Sequence, residues 1–353
     1  LTHYNLKTLG YTTETAATLE SNQIIGRISS QSKDIYKVLT DHGEGFAKIS
    51  GKYFYEINSA EEYPAVGDFV TLNHYPDSDD FAIIQDVLPR KSTLTRQSAG
   101  NSTETQLIAT NIDSIFICMS LNEDYNLRRL ERYLAIAWDS GAMPYIVLTK
   151  SDLCSDIQAR LAEISDIALG VDVILTTNAQ KDGYATIQKH LHVGKTAAFI
   201  GSSGVGKSTI INHFIGDAHI ETDGLRNDDK GHHTTTRRDL YVLPNDLGIV
   251  IDTPGMRELG VGNTDITKSY EDIEALAVQC KFNDCTHTTE PKCAVKAAIQ
   301  TGELSKERFE NYQKLQLEAQ YGDMDARMIE QTKLNRMIGG KKALKQLRRQ
   351  NQH

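Results

Sequence analysis

Residues Gly201–Ser208 read GSSGVGKS, a full match to the phosphate-loop pattern G-x-x-x-x-G-K-[ST]. The apolar run Ala197-Ala198-Phe199-Ile200 leads into it, and Ile211, Phe214 and Ile215 recur beyond it before Gly216. That is strand, loop and helix in the order such a loop needs. Gly201, Gly204 and Gly206 let the backbone curl so that its N–H groups face phosphate oxygens. The helix N-terminus adds a favourable potential for anions. Lys207 is expected to reach the β- and γ-phosphates, and Ser208 to place its hydroxyl on Mg²⁺. The nucleotide-binding set expected here is Gly201, Ser202, Ser203, Gly204, Val205, Gly206, Lys207, Ser208 and Thr209.

A second motif lies upstream. Thr149-Lys150-Ser151-Asp152 follows the apolar run Tyr145-Ile146-Val147-Leu148, at the C-terminal end of a strand, where open α/β sheets bind ligands. Asp152 can accept hydrogen bonds from guanine N1–H and the exocyclic amine. Adenine offers neither, so the carboxylate selects GTP over ATP. The stem of Lys150 can lie along the base. Thr149 stands where Asn is usual, and its shorter side chain is expected to brace the phosphate loop less well. Val173–Ala179, with Thr177 and Asn178, fits the segment whose backbone N–H groups meet the base carbonyl.

Base reading thus precedes phosphate binding, and Asp252-Thr253-Pro254-Gly255 comes last. This is the layout of a circularly permuted GTPase, a rearrangement a domain tolerates when its old ends were close in space. Asp252 fits the ligand of a Mg²⁺-bound water and Gly255 the γ-phosphate sensor. Between them and the phosphate loop runs a polar stretch containing Gly231-His232-His233-Thr234-Thr235-Thr236. A threonine here closes over Mg²⁺ and γ-phosphate in the GTP state. Thr235 is preferred, and Thr234 stays open because spacing does not fix the register. Met256 occupies the position where Ras-like GTPases put a water-orienting Gln, and it cannot do that work. His233 is the candidate replacement, histidine being a common general base near neutral pH.

A third constellation is Cys280-x4-Cys285-x-His287-x5-Cys293, three thiolates and an imidazole in a short span. The set matches a closed tetrahedral zinc site with no position left for substrate, so one structural Zn²⁺ per chain is expected. Of the other cysteines, Cys118 sits in an apolar run and reads as core, and Cys154 follows the base-reading loop.

Around these motifs the chain divides into four stretches. Residues 1–24 show little periodicity. From 25 to 100 the text is β-rich, with short strands expected at 36–39, 45–49, 53–57, 68–72 and 81–84, which suits a small OB-like barrel. Residues 97–106 read as a linker. From 101 to 262 strands expected at 114–118, 145–148, 172–175, 197–200, 239–243 and 249–251 alternate with helical text, implying a mostly parallel sheet covered on both faces. Leu127, Leu130, Leu134 and Ala137 mark one helix, with Trp138 beside the stripe as packing. Residues 263–353 are helical around the Cys/His cluster, with Phe309, Tyr312 and Leu315 on one face.

The net charge of −9 argues against a generally basic nucleic-acid binder. The balance is uneven: Ala326–His353 carry eight Lys/Arg and one Glu, a basic tail suited to phosphate. No stretch is long and apolar enough to span a membrane, and no leader pattern is visible, so a cytoplasmic protein is expected; a monomer is the expected state. The chain opens on Leu1 rather than Met, which leaves the native start open.

Taken together, GSSGVGKS, GHHTTT, DTPGMRE and CKFNDCTHTTEPKCAV, in this order, closely resemble the small-ribosomal-subunit-dependent GTPases of the RsgA family, also called YjeQ or YloQ. The resemblance spans roughly residues 25–320. It implies an N-terminal OB-fold, a permuted GTPase core using GTP with Mg²⁺, and a C-terminal helical zinc domain. It further implies late assembly work on the small ribosomal subunit and its rRNA, with hydrolysis stimulated by that subunit. The family's catalytic switch histidine maps to His233. His232 before it is a departure, as is Thr149. Two rival readings are a zinc-dependent RNA-binding module with a vestigial GTPase, which intact Lys207, Ser208 and Asp252 oppose, and a phosphate-loop kinase or ATPase, which Asp152 opposes.

Overall fold

The computed structural model describes residues 4–12, 23–57, 59–76, 80–97, 105–122, 124–180, 183–216, 238–253 and 264–321. His232, His233, Thr234, Thr235, Gly255, Met256 and the basic tail lie outside the described residues.

The first five strands, β1 (Ile24–Ser32), β2 (Ile35–Thr40), β3 (Gly43–Ile49), β4 (Phe69–Leu72) and β5 (Ala82–Val87), close into a barrel. β1 pairs with both β2 and β4, β3 runs parallel to β5, and β5 returns antiparallel to β4. This is the strand order of an OB-like barrel. Ile28, Tyr36, Val38, Ala47, Val70, Leu72, Ala82 and Ile84 fill it.

Two sequence expectations change here. The stretch 53–57 is not a strand; helix α1 (Gly51–Glu56) covers most of it. Ser50 caps that helix, accepting from the Tyr53 N–H at 2.9 Å. The aromatic text misled because a strand needs one buried face, whereas Phe54 and Tyr55 are both exposed. Second, the residues around the expected linker pair as an antiparallel hairpin, β6 (Thr93–Gln97) with β7 (Thr105–Thr110). β1 itself was not among the expected strands.

The larger sheet comprises β8 (Ser114–Ser120), β9 (Met143–Thr149), β10 (Val173–Leu175), β11 (Thr196–Gly201), β12 (Asp239–Val242) and β13 (Ile249–Asp252). Its order is β10-β9-β8-β11-β13-β12, parallel except for β12. β12 then pairs with β1 through Ser30 and Asp239, so the barrel continues the sheet. The helices covering it are α2 (Leu127–Asp139), α3 (Ile157–Ser165), α4 (Ala185–Gln188) and α5 (Lys207–Ile215). α2 starts where Asn126 accepts from the Arg129 N–H at 3.0 Å and buries Leu130, Tyr133, Leu134 and Ala137. The C-terminal unit holds α6 (Glu271–Ala277), α7 (Ala294–Thr301) and α8 (Lys306–Tyr321). Phe309, Tyr312 and Leu315 of α8 join the same core as α2. Among the described residues no helix is long and apolar enough to cross a membrane.

Candidate functional site

β11 is buried at every position and delivers the chain to Gly201 at the sheet's C-terminal edge. Gly201 has φ 143°, and a Cβ there would lie 2.3 Å from the Cys118 carbonyl oxygen of β8, so only glycine fits. Gly206 also has positive φ and opens α5. Lys207 is buried, its Nζ donating to the carbonyls of Gly201 at 2.8 Å and Ser202 at 2.6 Å. The ammonium is thereby held across the loop it serves. Ser208 is half-buried behind it, while Ser203, Gly204 and Thr209 face solvent.

The base-reading tetrad ends β9 alongside this loop. Thr149 is buried and its hydroxyl donates to the Val205 carbonyl at 2.6 Å. The brace that the shorter side chain was expected to make poorly is therefore made. The strand end sits close enough for it: the Thr149 methyl is 4.0 Å from where a Cβ on Gly206 would lie. Lys150, in the left-handed region with φ 55°, donates to the Gly204 carbonyl at 3.0 Å. Ser151 begins the single turn Ser151–Leu153, its N–H on the Thr176 carbonyl. Asp152 Oδ1 accepts from the Thr177 hydroxyl at 2.5 Å, and the same hydroxyl accepts from the Ala179 N–H at 3.0 Å. One hydroxyl thus ties the carboxylate to the segment containing the exposed Asn178. The two segments expected to read guanine, 25 residues apart in sequence, are thus joined by a hydrogen bond.

Asp252 ends β13 next to β11 and is buried. Burial pushes its carboxyl above the usual range, the Lys207 charge opposing this. A carboxylate so placed is suited to a cation, which supplies the charge that burial removes. Thr253 is fully buried and donates to the Phe199 carbonyl at 2.5 Å, pinning this strand end to β11. The sequence motif did not identify Thr253 as a fastening.

Cys280, Cys285, His287 and Cys293 converge, their donor atoms all within 4.8 Å of one another. Zn–S of about 2.3 Å and Zn–N of about 2.0 Å in a tetrahedron set donors about 3.5–3.8 Å apart. Cys280 Sγ lies 3.8 Å from Cys293 Sγ and 3.6 Å from His287 Nδ1, which is 3.3 Å from Cys293 Sγ. Three of the donors thus sit near tetrahedral spacing, with Nδ1 as the imidazole donor, and the fourth, Cys285, lies within 4.8 Å of them, a set compatible with zinc. His287 and Lys292 both take positive φ in the loop that brings the donors together. Cys293 also caps α7, accepting from the Lys296 N–H at 3.4 Å. Within the loop Glu290 accepts from the Thr286 hydroxyl and from the N–H groups of Thr286, Thr288 and Thr289. The Thr286 hydroxyl and the N–H groups of Glu290, Thr286 and Thr288 hold its carboxyl down at about 2.

Comparison with known proteins agrees with this geometry. Residues 87–262 match the family described as RsgA GTPase. The chain is 50% identical over 347 residues to small ribosomal subunit biogenesis GTPase RsgA 2 of Lactiplantibacillus plantarum, covering 98% of this chain and 97% of that protein. It is 46% identical to the protein of the same name in Listeria monocytogenes, with 84% of each chain covered. Among solved structures, YjeQ from Thermotoga maritima superposes with a TM-score of 0.61 at 25% identity, over 84% of this chain and 98% of that one. YloQ, described as a circularly permuted GTPase, gives 0.59 at 25% identity, over 86% and 97%.

Proposed function

The chain belongs to the RsgA GTPase family, and from that premise we propose that it hydrolyses GTP while bound to the small ribosomal subunit, serves late in that subunit's assembly, and leaves on hydrolysis. The observation that carries this reading is the Thr149–Val205 hydrogen bond, which joins guanine reading to phosphate binding across the permuted chain order.

In this reading residues 1–24 form an extension, 25–100 the barrel, 101–262 the GTPase and 263–353 the zinc unit. Lys207 moves its ammonium from the loop carbonyls to the β- and γ-phosphates. Ser208 and Asp252 would hold Mg²⁺, which supplies charge neutralisation for the transferred phosphoryl group. Asp152 reads guanine while Thr177 keeps it in place. His233 orients the attacking water, the role Met256 cannot fill, and Thr235 would add its hydroxyl to the Mg²⁺ ligands. The four-donor cluster would hold one structural Zn²⁺. The barrel, the zinc unit and the basic tail face rRNA.

GTP turnover with and without purified small subunits tests the reading. Subunits should accelerate the wild type by orders of magnitude, as activating partners do for other GTPases. Lys207→Ala should be inactive in both conditions. His233→Ala should lose about 10²–10⁴-fold of the stimulated rate with GTP affinity nearly unchanged, and His232→Ala much less. Equal wild-type turnover in both conditions would sink the coupling to the subunit.

A further inference from the structure

β12 enters the large sheet between β13 and the barrel strand β1. Its first residue, Asp239, is where the three meet. It is the partner of Ser30 on one side and of Asp252 on the other. Residues directly opposite in an antiparallel pair project to the same face, with Cβ atoms about 4.5–5.5 Å apart. The Asp239 carboxylate therefore stands beside that of Asp252. The face they share is the phosphate-loop face. Val250, two residues before Asp252 and on the same side of the strand, packs with Val205, Ile210 and Ile211 of the loop and α5. Asp239 and Lys207 both act electrostatically on Asp252, with opposite sign.

We propose that Asp239 is a second carboxylate of the Mg²⁺ site, holding a metal-bound water opposite Asp252. The proposal rests on the GTPase reading and adds a residue that its motifs do not contain. Mg²⁺ dehydrates reluctantly, keeps several waters, and is held by one or two carboxylates together with substrate phosphates. Asp252 and Ser208 leave water positions to be oriented, and a carboxylate on the neighbouring strand is placed to orient one. Asp239 is a positioning residue: it acts through water rather than on the reacting atoms. Because its backbone pairs with Ser30, it also makes the metal's surroundings sensitive to how the barrel strand lies.

The test is the Mg²⁺ linkage of nucleotide affinity in the full chain. Binding of a non-hydrolysable GTP analogue is measured in EDTA and across a Mg²⁺ titration, with Mn²⁺ binding to the nucleotide complex followed by electron paramagnetic resonance. Asp239→Asn should keep wild-type affinity in EDTA but bind metal about 10–100-fold more weakly, the loss typical of an outer-shell partner. Asp239→Glu should recover part of it. An unchanged Mg²⁺ midpoint and Mn²⁺ affinity would overturn the proposal. So would an equal loss of nucleotide affinity in EDTA, which would make Asp239 a fold residue. Wild-type protein that binds no GTP analogue would instead overturn the GTPase reading.

Discussion

The barrel and the zinc unit are each fastened to the GTPase core by one buried arginine, and the two fastenings work differently. Arg27 of β1 is 1% exposed and is met by uncharged acceptors: Leu9 O at 2.5 Å, Gly67 O at 3.2 Å, Asn111 O at 3.4 Å and the Thr196 hydroxyl at 2.8 Å. Burial pulls it down to about 10, with Asp113 and Asp68 opposing from further off. Arg308 of α8 is 7% exposed and sits between carboxylates, with Asp272 at 2.8 Å and Glu131 of α2 at 2.6 Å. Burial pulls it down, but Asp272 and Glu131 outweigh this and it ends raised. One joint is a charge solvated by the protein's own carbonyls and a hydroxyl. The other is an ion-pair network, with Asn311 also donating to Glu131 and to the Tyr270 hydroxyl. Three carbonyls and one hydroxyl tie Arg27 to four chain segments at once, whereas the ion pairs fix three helical pieces and leave each charge dependent on the others.

The zinc unit should break first and furthest. Structural zinc contributes about 10–16 kcal/mol in isolated zinc-finger peptides, and the packing of Cys293 and Val295 into the main core reduces that dependence here. Chelation or Cys285→Ser should abolish zinc content and hydrogen-exchange protection in α7 while β1 and β12 stay protected. Loss of protection in both regions would mean the two joints are not independent. Next in size is Arg308→Met. It leaves buried Glu131 without its cation, a change that costs about 3–5 kcal/mol in other buried pairs. Thermal unfolding should show it, and adding Glu131→Gln should restore much of the loss.

The motifs were legible because each is local: a glycine pattern at a strand end, a tetrad after an apolar run, four donors in one loop. Pairings between distant residues were not. Arg27 reaches Thr196 across 169 positions and Arg308 reaches Glu131 across 177. In the sequence an arginine reads as a surface charge. Thr149 shows the same limit inside a motif. Its side-chain length was visible, but the closeness of β9 to the loop, which decides whether that length suffices, is set by sheet packing. The 53–57 stretch failed for the converse reason, since aromatic content suggests a strand only where a face is buried to receive it.

Arg27→Met should cost less than Arg308→Met, about 1–3 kcal/mol. The change removes a buried charge along with its hydrogen bonds, so the desolvation of that charge is recovered. Gly67 O keeps a partner in the Asn111 side-chain amide at 3.1 Å. The Leu9 carbonyl is the acceptor that loses most, so protection should fall first at residues 4–12. A loss as large as that of Arg308→Met in urea unfolding would mean that carbonyl solvation is as demanding as ion pairing.

The smallest expected effect is a difference in how the two joints respond to acid. Beside Arg27, Asp113 accepts from the Lys91 ammonium at 2.8 Å, the Thr196 N–H at 2.9 Å and the Lys195 ammonium at 3.1 Å. Burial pushes its carboxyl up, but Lys91, Thr196 and Lys195 outweigh this and it ends lowered. Burial lowers the Lys91 ammonium, against the pull of Asp113. A lowered carboxyl contributes stability above its unfolded value near 3.8 and loses it as pH falls through the folded value. Glu131 is raised, chiefly by burial, so its contribution is full below its unfolded value near 4.5 and declines as pH rises through the folded value. Asp113→Asn keeps an acceptor for the Thr196 N–H and loses the charge, whose lysine partners are 43% and 59% exposed, so the deficit at neutral pH should be about 0.2–1 kcal/mol. Urea unfolding across pH should show that deficit closing on acidification. A gap independent of pH would make Asp113 a hydrogen-bond acceptor only.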